Sequence, residues 1–108
     1  MEASYEVIFS QRDTGPRMEK PGTRRWFREP EWQLSWEAQV RLEHWSRSER
    51  DCKDFFVLIL TWTDNRTFWK HPHEERSLLW DHSWSNASAI REAIRVFDER
   101  VKKLEEST

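Results

Sequence analysis

The chain has 108 residues, 35% of them charged, with a formal net charge of −2, eight tryptophans and a single cysteine. That length allows one modest core, and the near-balanced charge excludes a whole-molecule field that selects nucleic acid or an anionic membrane. Cys52 alone forms no intramolecular disulfide and fits a reducing nuclear or cytosolic setting, no stretch approaches the roughly 18 apolar residues of a membrane span, and the N-terminus lacks the apolar run of a signal peptide.

Tyr5 to Phe9 (YEVIF) reads as a short strand with Tyr5, Val7 and Phe9 on one face. Gln11 to Pro30 holds Gly15, Pro16, Pro21, Gly22 and Pro30 and reads as linker. It is net basic through Arg12, Arg17, Lys20, Arg24, Arg25 and Arg28, and Trp26 and Phe27 sit near its end. Phosphate pairing and stacking by these residues would give a weak nucleic-acid contact. Residues 1–34 are therefore expected to be a flexible segment carrying a strand-like peptide at 5–9, ahead of a domain at 35–106.

In that domain Val40, Leu42 and His44 alternate with Arg41, Glu43 and Trp45, the pattern of a half-buried first strand. Ser46 to Lys53 reads as a polar hairpin loop. Phe55 to Trp62 is apolar on both faces apart from Thr61, which predicts a strand inside a sheet. Thr63-Asp64-Asn65 reads as a tight turn, and Arg66 to His71 as a returning strand stopped by Pro72, which has no N–H for the ladder. Glu74 to Trp80 reads as a short helix with carboxylates in its first turn. Ser83 to Ser88 offers N-caps for a last helix, Ile90 to Leu104. There Ile90, Ile94, Phe97, Val101 and Leu104 recur at spacings of 4, 3, 4 and 3, a continuous apolar stripe widened by Ala93 and Val96. The stripe either packs on the sheet or faces a partner. Its length beside so small a sheet favours a partner.

Little here points to catalysis. Cys52, His71, His73 and His82 match no zinc spacing, and Cys52 lies between Asp51 and Lys53 in a charged loop, not in a nucleophile's pocket. Both glycines fall in the linker, so there is no phosphate-cradling loop. The expectation is a protein that is not an enzyme and holds no metal or cofactor. Trp36, Trp45, Trp62, Trp69, Trp80 and Trp84 are read as core and interface anchors; the alternative is an aromatic cage that attracts methyl-lysine by cation–π contact.

Ser35-Trp36-Glu37, a polar hairpin, Leu60-Thr61-Trp62, a short turn, His71-Pro72 and a helix carrying Ile94, Val96-Phe97-Asp98-Glu99 and Val101 together resemble the chromo shadow domain of the heterochromatin protein 1 family, in its fungal form. The resemblance covers roughly residues 35–104. It implies an α+β fold, a small curved three-stranded antiparallel sheet packed on C-terminal helices. It also implies dimerisation, as a homodimer or with a related domain, through Ile94, Phe97 and Val101, extended by Ile90 and Leu104. The groove implied between the two C-terminal tails involves Val101, Lys103 and Leu104 and takes extended PxVxL-like peptides of chromatin-silencing partners in the nucleus. Lys103 stands where the family carries a tail Trp, Ala89-Ile90 where it carries Cys-Pro, and Asn65 where it carries a turn Gly. The implied function is a non-enzymatic heterochromatin adaptor for gene silencing; the alternative is a chromodomain-type reader of methyl-lysine on histones. Tyr5, Val7 and Phe9 have the shape of a ligand for such a groove, and residues 5–9 are expected to add as a strand to this domain or to its partner.

Overall fold

The structure, a computed structural model, describes residues 4–20, 31–46, 54–67, 71–81 and 83–106. The elements are β1 (Ser4–Thr14), β2 (Arg17–Glu19), β3 (Trp32–Leu34), β4 (Trp36–Ser46), β5 (Phe55–Asp64), β6 (His73–Leu79) and α1 (Asn86–Glu106). The fold is α+β: an antiparallel sheet in the order β1-β4-β5-β6 carries α1 on one face, and β2 pairs with β3 alongside.

The sheet has four strands where three were expected, because the N-terminal segment joins it. Gln11 to Thr14, read as linker, completes β1, and Arg17 to Glu19 forms β2. Thr14 faces Glu37, and after the break Arg17 faces Leu34, so one register runs through both sheets. The Gly15 N–H donates to the Trp36 carbonyl at 2.9 Å, the Ser35 N–H to Pro16 at 2.8 Å, and the Lys20 N–H to Glu31 at 2.7 Å. Residues 4–20 and 31–46 thus form one long hairpin, interrupted where Pro16 lacks a donor. Gly15 is required by close approach: a Cβ there would lie 2.3 Å from Ser35 Oγ and from Trp36 Nε1. Gly15 and Pro16 thus mark a break in a hairpin, not a tether; Pro21, Gly22 and Pro30 of the expected linker lie outside the described residues.

β4 and β5 form where the alternation and the apolar run place them. Residues facing each other across the ladder share a face, so Trp36, Ala38, Val40 and Leu42 of β4 lie with Phe56, Leu58 and Leu60 of β5 under the helix. Two expectations after β5 are corrected. Asn65 to Thr67 is turn and bend, not strand; residues 68–70 of the expected strand lie outside the described residues. Glu74 to Trp80 is not a helix: His73 to Leu79 is β6, whose Leu79, Ser77, Glu75 and His73 pair with Phe56, Leu58, Leu60 and Trp62. The backbone groups along β5 need partners on both sides, and that requirement outweighs the helix preference of Glu-Glu-Arg.

A single helix follows among the described residues, not several. Its N-cap is Ser85, whose Oγ accepts the Ser88 N–H at 3.2 Å while Ser88 Oγ accepts the Ser85 N–H at 2.8 Å. This reciprocal pair is a capping box with Ser in place of Glu. Ala89, Ala93, Phe97 and Leu104 are buried against the sheet. The two alanines let the helix come close, and Phe97 fills the space between them and the strands.

Candidate interaction surfaces

The helix stripe divides in two. Phe97 (1% exposed) and Leu104 belong to the chain's own core. They are therefore closed to a partner while the helix stays on the sheet. Ile90, Ile94 and Val101 form a second line, offset by roughly 50° around the helix. Ile90 and Val101 are half-buried at the core margin, and Ile94 is 37% exposed. Of the five expected dimer contacts, these three remain on an accessible flank. Val101, Lys103 and Leu104, the expected peptide-docking residues, do not share a surface: Val101 is half-buried, Lys103 exposed and Leu104 buried.

Two arginines that the sequence reading passed over hold this helix in place. Arg66 pairs with the Asp64 carboxylate through Nε at 2.9 Å and donates from Nη2 to the Leu104 carbonyl at 2.7 Å. A cation thus satisfies an orphan carbonyl at the helix C-terminus, where the dipole favours positive charge. The Arg66 hydrogen bond also holds the Asp64 carboxyl below the usual carboxylate range, against the opposing effect of burial. Arg100 lies 3.9 Å from the Trp62 ring centroid and 3.5 Å from Glu75 Oε1, joining α1 to β5 and β6. Arginine at these positions reads as solvated charge in sequence, since Leu104, which Arg66 caps, and Trp62 and Glu75, which Arg100 meets, are far from them in the chain.

No helix or strand covers the opposite sheet face among the described residues. At one end Tyr5, Trp45 and Phe55 stack across three strands, with centroids 4.6 and 6.0 Å apart. Glu43 lies on this face yet is only 4% exposed; its carboxylate accepts the Trp45 indole N–H at 3.1 Å and pairs with Arg41 at 2.8 Å. Toward the other end, Arg12, Glu37, Gln39, Thr61, Thr63 and Pro72 line a shallow hollow of about 200 Å³.

The expected ligand segment adds to its own domain as the first half of β1. Tyr5 faces Trp45 and Val7 faces Glu43, but a bulge at Ile8 moves Phe9 to the other face, opposite Leu42, where Ile8 and Phe9 both reach the core. Tyr5, Val7 and Phe9 therefore do not form one row. Nor do the described tryptophans form a cage: Trp36 is core, Trp84 packs against it, Trp62 stacks on His73, Trp45 lies on the open face and Trp80 is 73% exposed. Trp26, Cys52, Trp69 and His82 lie outside the described residues. Among the described residues no group of three or more His, Cys, Asp or Glu side chains is arranged to hold a metal, and no helix is long and apolar enough to cross a membrane.

Comparison with protein-family models, with curated proteins and with solved structures finds no match.

Proposed function

We propose that this chain is a non-catalytic, chromo-shadow-like interaction module that associates through α1 and docks extended hydrophobic peptides of chromatin-silencing partners in the nucleus. The observation that carries this reading is the apolar flank of α1, where Ile90, Ile94 and Val101 stay in line beside a core already closed by Phe97 and Leu104. The occupant is a second copy. An antiparallel two-fold pairing centred between Ile94 and Val101 would set Ile94 of each copy against Val101 of the other, so the flank is complementary to itself. The separation of the tryptophans weighs against the methyl-lysine reader.

The test is a fluorescence titration with two synthetic peptides, one of PxVxL pattern and one bearing trimethyl-lysine. The proposal expects the PxVxL peptide to bind at one per two chains, and Ile94→Glu to abolish that binding in a chain that remains folded. Binding of the trimethyl-lysine peptide at one per chain, with no response to the other, would overturn it.

A further inference from the structure

β1 consists of two unequal halves. Past the bulge, Ile8 and Phe9 reach the core, Arg12 pairs with Glu37 at 2.6 Å, and Gly15 continues the ladder toward β2. Before the bulge, Tyr5 is 53% exposed and Val7 44%, and Ser4 and Glu6 are exposed as well. The side-chain contacts of this half include the Tyr5–Trp45 stack and the Ser4–Ser46 hydroxyl pair at 3.2 Å. Little apolar area would be lost if Ser4 to Val7 peeled away, and local opening draws on such lightly packed segments.

What lies beneath is better built than what covers it. The edge of β4 from Glu43 to Ser46 presents backbone groups that require a strand. Trp45 is braced from behind by Phe55 and anchored by its indole hydrogen bond to Glu43, itself held by Arg41. A rigid indole with one ring face turned to an edge strand is a socket for one aromatic side chain. Glu43, two residues back on the same face, sets the next position, now filled by Val7.

The geometry points to this edge of β4 as a peptide-docking site that Ser4 to Val7 occupies in cis. Its ligand is an extended segment of another protein, added as an antiparallel strand, with an aromatic residue on Trp45 and an aliphatic one two positions later opposite Glu43. The cis strand supplies the chemistry of that ligand and also competes with it. A partner's apparent affinity is reduced by the fraction of chains in which the edge is open. This rests on the reading of the module as a binder of extended peptides, and it adds to the docking place shared by two chains a second one on the β4 edge of each chain, filled at one peptide per chain.

The experiment uses the full chain and a labelled synthetic peptide with the sequence of residues 4–10 (SYEVIFS) as probe. The double variant Tyr5→Ser, Val7→Ser loosens the cis strand without touching the core, so the probe should bind it about tenfold more tightly than wild type. A probe with Ser in place of its Tyr should lose most of that binding. On the wild type, hydrogen exchange should be faster in the amides before the bulge than in Gln11 to Thr14. Equal affinity of wild type and double variant, or uniform protection along β1, would overturn the proposal. If the probe fails while Ile94 still controls self-association, only the docking edge is lost. Self-association abolished by the double variant but left intact by Ile94→Glu would also overturn it, making a second copy the occupant.

Discussion

Phe97→Ala removes a ring that is 1% exposed and packed in one cluster with Ala89 and Ala93 of the helix and Val40, Leu42 and Leu58 of the sheet. The small helix neighbours cannot expand into the space, and the strands are fixed by their ladders, so most of the cavity would persist. Truncations of this kind cost about 3–5 kcal/mol, set against a total of about 5–15 kcal/mol for a domain of this size. At roughly 4–8 °C per kcal/mol, the melting temperature should fall by about 12–40 °C. Ile94→Ala, on the accessible flank, should cost less than about 1 kcal/mol at concentrations where the chain is monomeric. The assay is thermal and urea unfolding followed by far-UV circular dichroism. Phe97→Glu goes further, placing a carboxylate without a partner in the core, and should yield an unfolded chain. A Phe97→Ala variant within about 1 kcal/mol of wild type, or a folded Phe97→Glu variant, would refute the placement of Phe97 in the chain's own core.

Three further outcomes follow from the packing. Gly15→Ala places a methyl 2.3 Å from Ser35 Oγ and Trp36 Nε1, so the hairpin must shift, at a cost of about 1–3 kcal/mol by urea unfolding. Ser85→Ala breaks the reciprocal cap at the start of α1 and should cost about 1 kcal/mol. Asp64 has its carboxyl held low by Arg66, so below its usual range the unfolded chain binds more protons. The contribution is then complete above about pH 4 and is lost as pH falls through the lower folded value. Arg66→Ala should remove that acid dependence and increase fraying at the end of α1, read by hydrogen exchange of its last turn.

β4, β5 and the helix were legible because each carries its own periodic signal. In β4, Val40 and Leu42 mark the buried face, and the apolar run of β5 could satisfy its backbone only with a strand on each side. The N-terminal half of the hairpin was hidden by Gly15 and Pro16, which mark a loop as readily as the break in a long ladder. β6 was hidden by Glu74 and Glu75, whose charge suits a helix start as well as an exposed edge strand. The five-residue stripe of α1 was correctly placed on a helix, but periodicity cannot say how the sheet divides it. The alanines decide this: Ala89 and Ala93 draw the helix down on one side, taking Phe97 and Leu104 into the core and leaving Ile94 outside. The roles of Arg66, Arg100 and Glu43 were hidden, since the helix end that Arg66 caps and the ring that Arg100 meets lie on other elements and Glu43 occupies an outward position in an alternating strand.

The most direct test of the interaction-module reading is the solution mass of the full chain by sedimentation across a concentration series, for wild type and Ile94→Glu. The reading predicts a wild-type dimer, and an Ile94→Glu monomer with the helix content and melting behaviour of an intact core. A wild-type chain that stays monomeric throughout, or a dimer unaffected by Ile94→Glu, would contradict association through α1.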